Sequence, residues 1–140
     1  MKKVLLAIAC VLTVAGCSSG EEAPAKPEVT WESLQADYLT KLQQNSSSKL
    51  ICGFQSGVAD CLDRVRADLK DLDSAATEHL GDQAGTLSTK VSAFNDAHSA
   101  YVQGRCASAG GTLSCSTNLL KAENAAKDVR ELLSSRASGS

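Results

Sequence analysis

Four cysteines, Cys52, Cys61, Cys106 and Cys115, form two pairs of the pattern Cys-x4-Gly-x3-Cys, with Gly57 and Gly111 at the equivalent place. Thiols so arranged can bridge, ligate a metal or exchange electrons, and their spacing decides among these roles. A residue nine positions further along a helix points about 180° away. No two of these cysteines therefore share a helical face on which zinc ligands would converge. No Cys-x-x-Cys occurs, with or without a following His, so thioredoxin-like exchange and c-type haem attachment lack their motif. The four thiols are expected to form structural disulfides. Local pairing, Cys52–Cys61 with Cys106–Cys115, closes each loop, suits two α-loop-α units and is favoured. The nested pairing, Cys52–Cys115 with Cys61–Cys106, is an alternative, although two such bridges cannot both lie between one pair of regular helices. The crossed pairing is a third arrangement.

His79 and His98 are the only imidazoles. In a helical hairpin turning near Gly81, His79 lies opposite about residue 88, and His98 is then roughly 15 Å further along. The two cannot share a metal, and His98 is expected to be a partly buried or boundary histidine. Asp60, Asp63, Arg64, Arg66, Asp68, Lys70, Asp71 and Asp73 alternate in sign as a solvated helix face does. Trp31 stands at helical spacing from Leu34 and Tyr38, as a core residue would. No Ser/His/Asp order, Gly-rich phosphate loop or paired-carboxylate signature occurs, so no catalytic residue, cofactor or metal is assigned and an enzyme is not expected. The balance of 14 Lys+Arg against 16 Asp+Glu offers no basic field for a nucleic acid.

The other two cysteines lie in the amino-terminal segment. Met1-Lys2-Lys3 is a short positive start, followed by the apolar run Val4 to Val14 and then Val14-Ala15-Gly16-Cys17. The run is too short to span the ~30 Å hydrocarbon core of a bilayer but suits a signal peptide. The segment resembles the signal peptide and lipobox of bacterial lipoproteins: an apolar residue, a small residue, Gly or Ala, then Cys. The resemblance covers about the first 20 residues. It implies diacylglycerol on the Cys17 sulfur, cleavage after Gly16 and, in many species, acylation of the new amino terminus by a fatty acid such as palmitate. Ser18, where Asp would favour inner-membrane retention, implies an outer-membrane lipoprotein facing the periplasm in preference to the outer face of a Gram-positive plasma membrane. Cys10 leaves with the signal. Processing removes two Lys and no acid, so the net charge moves from −2 to −4.

These segments divide the chain. Residues 1–16 are the signal peptide, 17–28 the lipidated Cys17 and a flexible tether, 29–136 a helical domain and 137–140 a disordered tail. Thr30 suits a helix cap with Val29 and Leu34 as a staple, and Trp31, Leu34, Tyr38 and Leu42 follow at helical steps. That helix stops near Gln44 or continues to Cys52. Ser56 is the expected cap of a second helix with the stripe Val58, Leu62, Val65, Leu69, Leu72, Ala76 and Leu80. Gly81 is placed to end it and Thr86 to cap a third carrying Leu87, Val91, Phe94, His98, Tyr101 and Val102, the rival being one long helix with a shifted register across Leu80 and Ala84. A fourth carries Cys115, Leu119, Ala122, Ala126, Val129 and Leu133, with a frayed end from Ser134. No segment alternates at period two, so the expected fold is all-α, an antiparallel up-down-up-down four-helix bundle, or stapled helical hairpins, with two disulfides. The expected function is a non-enzymatic lipoprotein held in the bilayer by Cys17, its bundle binding an envelope protein. An inhibitor or exclusion factor acting on a lytic enzyme or on phage or DNA entry, and a small-ligand carrier, are the alternatives.

Overall fold

The computed structural model describes residues 28–43, 49–54, 56–109 and 111–138. The segments expected to be signal peptide and tether, with Cys17 and up to Pro27, and the last two residues of the expected tail lie outside them. The described residues are helical throughout, with turns and bends between: α1 (Trp31–Tyr38), α2 (Val58–Leu80), a 3-10 turn (Gly81–Ala84), α3 (Gly85–Gln103), α4 (Cys106–Ala109) and α5 (Leu113–Ala137). No strand occurs among them.

At α1, the Thr30 hydroxyl accepts from Ser33 N–H, and the Ser33 hydroxyl accepts from Thr30 N–H. The pair satisfies two of the donors that a helix start leaves open. The helix then ends at Tyr38, well before Gln44, and residues 39–42 continue as a capped turn. Residues 44–48, whose helicity the sequence leaves open, lie outside the described residues, and 49–52 are bends. Leu42 still enters the core, fully buried although it belongs to no helix.

The stripe of α2 is buried from Val58 to Ala76. The helix starts differently from the expectation: Gly57, not Ser56, is the N-cap, with φ of 87°. Its carbonyl accepts the first helical bond, from Cys61 N–H, at 3.0 Å. At the far end Gly81 has φ of 54°, which suits a residue without Cβ, and breaks the helix. Thr86 does not cap α3, because the chain resumes helical geometry one residue earlier, at Gly85. Ser88 Oγ donates to Asp73 Oδ1 at 2.6 Å, and His98 Nε2 lies 2.8 Å from Asp63 Oδ1. Ten residues back along α2 thus match ten residues on along α3, so these helices run antiparallel.

Helix α5 packs along α3, and Lys90 near the start of α3 meets Asp128 in the second half of α5 at 3.4 Å. The short connection through α4 joins their other ends, so this pair is antiparallel as well. The Thr112 hydroxyl accepts from Cys115 N–H to cap α5, which continues through Ala137, past the frayed end expected from Ser134. The core between the helices is built on Phe94, Leu62, Leu69, Leu72, Leu87, Val129 and Leu133. Short α1 lies against α5 and α2, with Trp31 in the core and the Arg136 guanidinium 5.7 Å from its ring centroid.

Candidate functional site

The structure bridges Cys52 with Cys61 and Cys106 with Cys115, at Cα separations of 5.6 and 5.2 Å. Cys61 lies in the first turn of α2 and Cys115 in the first turn of α5, while Tyr101 sits in the last turn of α3. The antiparallel arrangement brings these three helix ends together. Both bridges therefore gather at one end of the domain.

Equal spacing does not give the two loops equal backbones. Cys52 lies in an irregular segment and its loop closes on Gly57 in a left-handed conformation. Cys106 opens the single turn of α4, its loop closes on the Thr112 cap, and Gly111 has no positive φ. The two expected α-loop-α units share a bridge length and differ in structure.

The Cys52 loop is held by a residue the sequence reading passed over. The Glu123 side chain is buried in the middle of α5. Its Oε2 accepts from Ile51 N–H at 2.6 Å, and its Oε1 accepts from Cys52 and Gly53 N–H at 2.7 and 2.9 Å. Three successive amides of an irregular segment are thereby satisfied by one carboxylate, whose charge strengthens each bond. The available signal was a position in the apolar stripe, four residues after Leu119 and three before Ala126.

Between the bridged loops lies an open cleft of about 400 Å³. Phe54, Val58, Tyr101, Leu119 and the Cys106–Cys115 loop line it, and Asp60 is the one charged residue among its walls. Phe54 is 62% exposed, and Leu113, at the loop-to-helix junction beside the cleft's Gly111 and Cys115, is 86% exposed. Val102, expected in the α3 stripe, instead faces solvent near the same end.

His98 is buried, stacked on Phe94 and bonded to Asp63. His79 lies near the opposite end of α2 and approaches Glu78 at 3.9 Å. Among the described residues no three His, Cys, Asp or Glu converge on a possible metal position. Several carboxylates of the alternating α2 run act between elements: Asp63 on His98, Asp68 on Lys41 at 3.4 Å and Asp73 on Ser88. No described helix is long and apolar enough to cross a membrane.

Comparisons with protein-family models, with curated proteins and with solved structures find no match to this chain.

Proposed function

We propose that this chain is a non-enzymatic lipoprotein of the cell envelope, anchored through acylated Cys17, that offers the disulfide-bridged end of its helical domain to a protein partner. The observation that carries the reading is the grouping of two bridges, an open cleft and the exposed side chains of Phe54 and Leu113 at one end. Large apolar side chains clustered on a surface mark interaction sites, and the bridges keep this surface in one shape. The anchor rests on the charged start, apolar run and lipobox ending at Cys17. Two or three acyl chains, at about 0.8 kcal/mol per buried CH₂, hold a protein of net negative charge without a basic patch. An outer-membrane position facing the periplasm follows from Ser18. The finer architecture belonging to this reading is an up-down-up-down bundle whose first member, α1, is short.

Trp31 approaches Arg136, so α1 begins beside the carboxyl end of α5. Twenty-five helical residues separate the ends of α5, a distance of about 37 Å. The tether therefore joins the domain at the end remote from the cleft.

A photo-crosslinking residue at Leu113 in intact cells tests the reading. The expected result is one stoichiometric adduct with an envelope protein, abolished by Phe54→Asp. An adduct only with an added lytic enzyme would favour an inhibitor, and no adduct with either would overturn both. Cys17→Ala should release the protein into the soluble fraction after a high-salt wash, and retention there would overturn the lipid anchor.

A further inference from the structure

We infer that the cleft between the two disulfide loops accepts a peptide segment of a partner protein that inserts an apolar side chain next to a lysine or arginine. The inference deepens the interaction reading and rests on it, but it is independent of the anchor. The walls dictate the chemistry. Phe54, Val58, Tyr101 and Leu119 supply apolar and aromatic surface, Ser56 and Ser116 supply hydroxyls, and Asp60 supplies the sole charge. Asp60 is exposed and has no ion-pair partner among the described residues, whereas Asp63 and Asp68 on the same helix are engaged by His98 and Lys41. A carboxylate in the wall of a cleft that also offers apolar and aromatic surface selects a cation beside the inserted side chain and disfavours an acidic neighbour.

The volume and openness favour a side chain carried on a chain over a free small ligand. Ligand pockets enclose most of their ligand in about 300–1,000 Å³, and this cleft is at the small end of that range and open to solvent. Its walls are also fixed in advance. Gly57 caps α2 and Thr112 caps α5 within the bridged loops, and Glu123 holds the backbone of residues 51–53 just before Phe54. A preorganised surface loses little freedom on binding. The chain's own tether is a poor occupant, because it joins the domain at the opposite end.

The test is a random 12-residue peptide library displayed on phage and selected against the oxidised full chain in mild detergent. Recovered peptides are then measured by fluorescence anisotropy. Enrichment of an aromatic or aliphatic residue adjacent to Lys or Arg is expected. Phe54→Ala should weaken binding of these peptides at least 10-fold, and Asp60→Asn by about 2- to 5-fold, a loss that shrinks at high salt. Both positions are exposed, and an unchanged thermal transition will show that the variants fold. Enriched peptides lacking a basic residue, or indifferent to Asp60→Asn, would overturn this inference while leaving the interaction reading in place. A concentration-dependent dimer abolished by Phe54→Ala would assign the cleft to a second copy and overturn it too. No enrichment would overturn it as well, and the Leu113 crosslink then decides separately whether the interaction reading survives.

Discussion

Glu123 Oε1 accepts the backbone N–H of Cys52 at 2.7 Å, across 71 positions of sequence, and so ties the middle of α5 to the first bridged loop. The same carboxylate takes Ile51 and Gly53 N–H, and nothing else described satisfies those three amides together. Truncation to Ala strands three donors, and each unsatisfied buried donor costs about 1–3 kcal/mol. Glu123→Ala should therefore destabilise the domain by about 3 kcal/mol or more, lowering Tm by on the order of 10 °C. Glu123→Gln keeps the volume and one acceptor oxygen, so it should fall between the two. Hydrogen exchange at residues 51–53 will accelerate in both variants if the carboxylate holds the loop, and unchanged exchange would refute that role.

Each disulfide closes a loop of nine residue steps. Chain-entropy reasoning assigns about 2–3 kcal/mol to a closure of that length. The paired substitutions Cys52→Ser with Cys61→Ser, and Cys106→Ser with Cys115→Ser, should each cost about that much in urea unfolding. Non-reducing peptide mapping should recover two short bridged peptides. A peptide joining residues 52 and 115 would instead establish the nested pairing.

Tyr38 is the one described group pushed clearly from its ordinary ionisation. Burial raises its phenol above 10.0, with the Lys41 ammonium opposing, and Lys41 Nζ lies 4.5 Å from the ring centroid. The unfolded chain therefore loses this proton first, near pH 10.0. Above that pH the unfolded state holds fewer protons, so stability falls as pH rises until the folded phenol also ionises. Tyr38→Phe keeps the ring and removes this contribution. Urea midpoints measured across the alkaline range should fall less steeply for Tyr38→Phe than for the parent, and equal slopes would contradict the linkage.

Leu42 has the core burial of a helical leucine without a helix around it. Its amide donates to Tyr38 carbonyl at 3.2 Å in the turn that closes α1, and its side chain joins the cluster that holds Trp31 and Leu34. Leu42→Ala should cost about 2–5 kcal/mol, as deletion of a leucine in a packed core does. A loss below ~1 kcal/mol would show that this segment is only loosely attached.

What could be read from the sequence depended on how local the cause was. The α2 stripe was legible because leucine and valine recur at every third or fourth residue and no other element is needed to interpret them. Thr30 caps as expected, and Thr112, which was not singled out, caps by the same chemistry, each bonding an amide three residues on. Ser56 and Thr86 have the same chemistry and do not cap, because Gly57 caps α2 one residue on and the 3-10 turn places the cap of α3 at Ala84, two residues back. Glu123 was not legible as an anchor because its partners are backbone amides some 70 residues distant, and a backbone amide carries no residue signature. The exposure of Phe54 and Val102 likewise depends on how the two loops sit against the helix ends.

Gly57 and Gly111 occupy the same place in the repeated cysteine pattern, and the structure gives them opposite requirements. Gly57 has φ of 87°, with no atom within 4 Å of where a Cβ would stand. A substitution there meets no clash and only backbone strain, about 1–2 kcal/mol for an alanine in the left-handed region. Gly111 also has open space but no positive φ. Alanine at that position restricts the unfolded chain without straining the folded one, which stabilises by about 0.5 kcal/mol where the conformation is compatible. Gly57→Ala should therefore lower the thermal transition and Gly57→Asn lower it less, since asparagine tolerates this region better than alanine. Gly111→Ala should leave the transition unchanged or raise it slightly. Equal losses at the two glycines would mean that the loops share one backbone, and the asymmetry between the Gly57 and Thr112 caps would then be wrong.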